Sequence, residues 1–321
     1  MPHLPNLRHL RYLAALADHG HFGRAAAACF VTQSTLSAGI RELESAMGVQ
    51  VAERTRHSVR MTPIGHRIVV RARLLLREAE ALMALGAEQA RPMSGRLELG
   101  VLPTIGPYLL PKLIRALGER FPLLKLGLRE DRTGNLLRLL AEGRLDLVLM
   151  AFPYDTPGME RMLLFDDAYR YVTATDSPQA AATPASLRPV SEADFEGESL
   201  LLLEHEHCLH SHALPTLQRI GELAQASYAA TSLPTLVAMV AEGLGSTLLP
   251  DLAITGGILH GHGVVVQPLA GASARSIGLC WRRGSARVDS FRLLGEFLED
   301  WARTHVHAWQ PDLPTDGPPL R

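Results

Sequence analysis

Phe22-Gly23-Arg24-Ala25-Ala26-Ala27-Ala28-Cys29-Phe30-Val31-Thr32-Gln33-Ser34-Thr35-Leu36-Ser37 holds a short alanine-rich helix, a tight break and the start of a second helix. Alanines at 25–28 let another helix pack closely, and Val31-Thr32 forms the break. Thr32 is a good N-cap. Beyond it, Leu36, Ile40, Leu43 and Met47 are spaced four, three and four, which predicts a buried stripe. The opposite face carries Gln33, Ser34, Thr35, Ser37 and Arg41. Short donors and acceptors at a helix N-terminus can reach base edges and phosphates. Taken alone, the same face also reads as an ordinary solvated surface. Upstream, Leu7, Leu10, Leu13, Ala14 and Ala17 mark one more amphipathic helix.

Downstream, Glu53-Arg54-Thr55-Arg56-His57-Ser58-Val59-Arg60-Met61-Thr62 alternates as a short hairpin does. Arg54, Arg56 and Arg60 would make it a basic wing for phosphates or a minor groove, with Arg54 alternatively bracing the wing. Phe22 to Ala28, Thr32 to Ser37, Arg41-Glu42-Leu43-Glu44, Gly48, Glu53-Arg54, Thr62 and Gly65 together resemble the winged helix-turn-helix of LysR-type transcriptional regulators. Ala52 stands where that family usually has a large apolar residue. The resemblance implies double-stranded DNA as partner, read as an interrupted inverted repeat by a homodimer or homotetramer, with RNA polymerase engaged.

Thr62-Pro63 is a strong helix start. Ile68, Ala72, Leu75, Ala79 and Leu82 then form the seam of a short coiled coil, flanked by charges. Such a stripe needs cover, either from a second copy or from its own domain. Pro92 and Ser94-Gly95 end it. The expected organisation is a winged helix-turn-helix over 1–62, a linker helix over 63–92 and an α/β domain over 95–305. A proline-bearing tail at 306–321 is expected to lack fixed structure.

Composition agrees with this split. The 321 residues carry a net charge of −1, yet residues 1–91 hold 12 Arg against 7 acidic residues, leaving the remainder acidic. A basic first third suits a polyanion. Three cysteines exclude a disulfide scaffold and suit a reducing compartment. The N-terminal stretch has no apolar core before a cleavage site, and no uncharged apolar run reaches about 18 residues. A cytoplasmic protein without a membrane partner is expected.

The second module alternates strands and helices: strands at Leu97–Val101, Leu124–Leu128 and Leu145–Ala151, helices at Tyr108–Glu119 and Asn135–Glu142. This predicts a parallel α/β lobe. A second set begins near Arg161, with strand-like runs at Tyr169–Thr173 and Leu200–Leu203 and helices at His210–Leu223 and Leu233–Glu242. Ile277–Trp281 and Val288–His305 would return the chain to the first lobe. The pattern resembles the two-lobed, periplasmic-binding-protein-like effector domain of LysR-type regulators, whose ligands lie between the lobes.

Three stretches carry candidate chemistry. Thr104, in Pro103-Thr104-Ile105-Gly106-Pro107-Tyr108, would face the cleft with backbone N–H groups; Thr133 opens the next helix. Each could bind an effector or merely cap its helix. Leu200-Leu201-Leu202-Leu203-Glu204-His205-Glu206-His207-Cys208 ends a strand on a cysteine that follows a histidine just before a helix. An imidazolium and a helix N-terminus both favour thiolate, the form that attacks peroxide. A lone cysteine otherwise reads as a small buried hydrophobe. The same stretch, with Leu102–Pro111, Ala230–Leu233 and Thr247–Pro250, resembles the hydrogen-peroxide-sensing OxyR group of that family. By that resemblance Cys208 is the oxidised thiol, His207 tunes it, and Thr104 and Thr133 position peroxide, giving an activator that responds to oxidative stress.

The departures are specific. The resolving cysteine usual in that group is missing, with Leu217 near its position. Glu206 replaces a glycine, and His210-Ser211 replaces an arginine–aspartate pair. Cys29 and Cys280 lie in other elements, so the expected sensor works with one cysteine. Alternatives are a small-metabolite regulator with Cys208 incidental, a metal-responsive loop of His205, His207, Cys208, His210 and His212, and a thiol peroxidase fused to a DNA-binding domain. No cofactor or enzyme signature is evident, so neither a cofactor, a functional metal site nor an enzyme is expected.

Overall fold

A computed structural model describes residues 4–54, 59–88, 93–177, 180, 189–190, 199–203, 229–270 and 274–307. The chain divides into two compact units, one mainly from residues 1–92 and one mainly from residues 93–321.

In the first unit, α1 (Leu7–His19), α2 (Phe22–Ala28) and α3 (Gln33–Met47) precede a two-stranded hairpin of β1 (Ala52–Arg54) and β2 (Val59–Met61), followed by α4 (Pro63–Glu88). The helices start on side-chain caps: Asn6 Oδ1 accepts from the Arg8 N–H at 2.9 Å, His21 Nδ1 from Gly23 at 3.0 Å, and Thr32 Oγ1 from Thr35 at 3.2 Å. Leu10, Leu13 and Leu16 of α1 pack with Leu36, Ile40 and Leu43 of α3, and the small Ala25 and Ala26 bring α2 against both. Each buried leucine contributes roughly 2 kcal/mol. Gly39 sets the α1–α3 spacing, since a Cβ there would lie 2.7 Å from the Tyr12 ring. Met47, expected in the buried stripe, is instead 39% exposed as the last residue of α3.

The wing pairs antiparallel, Glu53 opposite Arg60, and Arg60 is exposed. Thr62 joins wing to helix. Its Oγ1 accepts from the Gly65 N–H at 3.0 Å and donates to the Gln50 carbonyl at 2.8 Å. The α4 seam has two fates. Ala72 is buried with Val69 in the core of the unit and Ile68 packs against it, whereas Leu75 is 52% and Leu82 68% exposed.

The second unit runs β3 (Gly95–Val101), α5 (Gly106–Arg120), β4 (Leu124–Glu130), α6 (Thr133–Ala141), β5 (Leu147–Phe152) and β6 (Met159–Ala174). It continues with β7 (Leu202–Leu203), β8 (Ala229–Ala230), α7 (Leu233–Ala241), β9 (Thr247–Pro250), α8 (Asp251–Thr255), β10 (Val264–Pro268), β11 (Ala274–Arg282) and α9 (Val288–His305). Strand order is β10-β6-β11-β5-β3-β4, with β9 also on β6. Among the named strands of the described residues, β3 pairs parallel with β4 and β5, and β7 with β8, while β11, β6, β9 and β10 pair antiparallel. The parallel pairing expected of the first-lobe strands near 97, 124 and 147 is present, and the strands that link and complete the lobes add antiparallel pairing to it. The chain leaves the first lobe along β6 and returns along β11, so the returning strand runs against its neighbours.

The run Tyr169–Thr173 is one end of that 16-residue β6. Its first part pairs with β11 in the first lobe, and its second part with β9 and β10 in the second. Alternating residues Tyr169 and Tyr171 pack there with Leu201, Leu236, Val240 and Leu249. Among the described residues, no helix is long and apolar enough to cross a membrane. The helix expected from His210 and most of the expected tail lie outside the described residues.

Candidate functional site

The candidates for DNA contact on α3 gather at its start, with Arg41 in the middle of the helix. Thr32, Gln33, Ser34, Thr35 and Arg41 are exposed and Ser37 is half-buried. Thr32 Oγ1 lies 2.9 Å from Ser34 Oγ and 2.8 Å from Thr35 Oγ1, so three hydroxyls form one cluster at the helix start. Arg54 closes β1, and Arg56 lies outside the described residues.

The second site is a cavity of about 480 Å³ between the lobes of the second unit. One wall is the β3–α5 loop, Thr104 and Tyr108; the other is Leu203, Thr231, Ser232 and the Gly256–Ile258 turn. Two of the loop's backbone donors are spent inside it. The Ile105 and Gly106 N–H groups both go to the Leu102 carbonyl, at 2.9 and 2.8 Å. Thr104 does not cap α5, since Ile105 occupies that position without a side-chain bond.

Thr104 is instead held by a residue that periodicity did not reveal. Fully buried Arg275 donates from Nη1 to Thr104 Oγ1 at 2.8 Å and from Nη2 to the Thr104 carbonyl at 3.0 Å. Its Nε and Nη2 reach Asp167 Oδ2 at 3.0 and 2.9 Å. Asp167 and Arg275 face each other across β6 and β11. Asp167 Oδ1 also accepts from the Leu252 N–H at 2.9 Å, and Arg170 grips the neighbouring Asp251 through both oxygens, at 2.7 and 2.8 Å. One chain of charge-assisted bonds thus runs from the Thr104 loop of the first lobe to α8 of the second. Burial pushes the Asp167 carboxyl up from the ordinary range, against the pull of Arg275 and of the Leu252 N–H. The sequence held one weak signal, an arginine two residues ahead of the apolar run Ile277–Trp281.

Arg275 fixes how Thr104 can act. A hydroxyl has one proton and two acceptor lone pairs, so accepting from Arg275 leaves the proton to be donated elsewhere. Thr133 differs. It is 2% exposed, and its Oγ1 has no hydrogen-bond partner among the described residues. Tyr108 packs its ring over Gly256, where a Cβ would lie 2.8 Å from the ring. Burial raises its phenol to about 12, with Arg275 opposing and Glu130 adding to the rise. Cys208 and His207 lie outside the described residues, five and four positions beyond cavity-lining Leu203. Cys29 and Cys280 are buried in α2–α3 packing and in β11 respectively. Burial raises the Cys280 thiol to about 11, with Arg161 opposing. Among the described residues no cluster of three or more histidine, cysteine or acidic side chains could hold a metal.

Known proteins share both parts. The profile of the bacterial regulatory helix-turn-helix protein, lysR family, matches residues 7–66, and that of the LysR substrate binding domain matches residues 90–303. The DNA-binding transcriptional dual regulator OxyR of Escherichia coli is 40% identical over 91% of this chain and 94% of its own. The HTH-type transcriptional regulator EstR of Acinetobacter baylyi is 38% identical over 93% of this chain and 98% of its own. A cysteine-to-aspartate variant of full-length OxyR from Pseudomonas aeruginosa superposes with a TM-score of 0.77 at 31% identity, covering 97% of this chain and all of that one. With a helix-turn-helix at one end and a two-lobed effector domain at the other, the chain belongs to the LysR family of bacterial transcriptional regulators.

Proposed function

We propose that this regulator responds to hydrogen peroxide through Cys208. The observation that carries the reading is the Thr104 hydroxyl, locked by Arg275 as an acceptor with its proton left for a ligand in the cavity. Thr133, buried with an oxygen that has no partner among the described residues, supplies a second polar group in the same lobe. In the proposed reaction the Cys208 thiolate attacks one peroxide oxygen and the O–O bond breaks. The leaving hydroxide takes up a proton as water, and Cys208 ends as a sulfenic acid. His207 favours the thiolate. Similarity to proteins named hydrogen peroxide-inducible genes activators supports the assignment.

The regulator would act in the cytoplasm on an interrupted inverted repeat. Thr32, Gln33, Ser34, Thr35, Ser37 and Arg41 would meet the groove, while Arg54, Arg56 and Arg60 meet phosphates. The exposed Leu75 and Leu82 support pairing of α4 with a second copy, as a homodimer or within a tetramer, and RNA polymerase would be engaged from the bound site. The domain limits at 62, 92 and 95 belong to the same proposal.

Mass spectrometry of Cys208 after graded peroxide, beside a reporter assay, tests this. Cys208→Ser should abolish the response and keep basal DNA binding, and His207→Ala should slow the oxidation. A Cys208→Ser protein that still responds normally sinks the reading. A small metabolite would then be the effector, a reading favoured by a cavity within the usual 300–1,000 Å³ of small-molecule sites.

A further inference from the structure

Among the described residues only two that are not glycine have a left-handed backbone, Phe30 at φ 57° and Met93 at φ 59°. Met93 is buried, so its side chain offsets the strain by packing. Phe30 has no such return, because it is 93% exposed.

The surrounding bonds say what the backbone is doing. The Phe30 N–H reaches the Ala27 carbonyl and the Val31 N–H the Ala26 carbonyl, both at 3.1 Å. That pair of bonds closes a helix with a Schellman motif, and Phe30 sits at its left-handed position, where glycine or asparagine fits without strain. Val31 supplies the apolar contact of the motif by packing on the core of the unit. The phenyl ring therefore plays no part in ending α2. It is a strained backbone carrying an apolar ring into water, two residues before the Thr32 cap of α3.

We propose that Phe30 is a DNA-contact residue whose ring covers the apolar surface of a nucleotide, a deoxyribose face or a thymine methyl, beside the groove that α3 enters. Strain kept at an exposed position points to a contact made with another molecule. Two residues along the chain begins the exposed hydroxyl cluster of the α3 start, which the proposed function places in the groove, and aromatic contact with a thymine methyl is an established form of base reading. The inference rests on the DNA-binding reading and extends it to an uncharged contact in the turn.

The test uses the full-length chain and duplexes that the wild type selects from a random library. Phe30→Asn suits the left-handed backbone and removes the ring, so it should melt a few degrees higher. It should bind the selected duplexes about tenfold more weakly, the scale of one lost base contact. The salt dependence of binding should be unchanged, because no charge is removed. Phe30→Tyr, which keeps the ring, should bind within about twofold of wild type. Undiminished binding by Phe30→Asn would overturn the proposal and leave the ring to a protein partner. Weaker binding together with a lower melting temperature would make Phe30 a folding residue and overturn it too. A wild type that enriches no duplex would instead overturn the DNA-binding reading beneath it.

Discussion

Two groups of threonine hydroxyls in this protein are held in opposite ways. Around Thr32 every partner lies within three residues, and the cluster is exposed. Around Thr104 the partner is Arg275, 171 residues away, and the group is buried. A local cluster costs little to hold, and its outer faces stay available to another molecule. The long-range group spends most of its hydrogen-bonding capacity inside the protein, so it is a brace with one donor to spare. On the proposed reading, recognition on the first surface would need only the helix, whereas sensing at the second would need both lobes in place.

The comparison would break most visibly at Arg275. Arg275→Met leaves Asp167 buried beside an apolar side chain, which should cost about 3–5 kcal/mol in chemical denaturation. Adding Asp167→Leu should recover much of that loss. A single variant as stable as wild type would mean the pair braces nothing.

The two buried threonines should then part. Thr104→Val removes the acceptor that Arg275 uses and should cost about 1–2 kcal/mol. Thr133→Val removes an oxygen with no partner among the described residues, so stability should hold or rise while the peroxide dose response weakens. Equal losses of stability in both would erase the distinction.

On the exposed side, Thr32→Ala should cost about 1 kcal/mol in a thermal melt through loss of the cap, with the effector response retained at saturating DNA. The smallest effect is set by pH. Cys280 has its folded pKa raised above 9, so its contribution is complete below pH 9 and is lost as pH rises towards about 11. By pH 9.5 the loss is under about 1 kcal/mol, and Cys280→Val should flatten that part of the stability curve. At neutral pH the same thiol should resist alkylation.

The helix-turn-helix was legible because its signals repeat over three or four residues: the leucine stripe of α3, the Thr32 cap, the alternation of the wing. Met47 escaped that reading because a stripe does not say how far along a helix its cover extends. The seam of α4 was legible as a stripe but not in its division, since spacing is the same for Ala72, covered by its own unit, and for Leu75, which is not. In the effector domain the strands near residues 97, 147 and 277 stand out as apolar runs. The antiparallel return of β11 does not, because a buried strand has the same composition in either direction.

The sequence by itself determined the modular order, the helix starts at Thr32 and Thr62, and the choice of the polar α3 side chains, Thr104, Thr133 and Cys208 as candidates worth testing. Each of these is written in residues close together along the chain. Only the tertiary structure decided that Arg275 and Asp167 hold the Thr104 loop. It also decided that, among the described residues, the Thr133 hydroxyl has no partner and the left-handed Phe30 is exposed. Burial and hydrogen-bond partnership depend on segments more than a hundred residues apart, and no local pattern encodes which of them will meet.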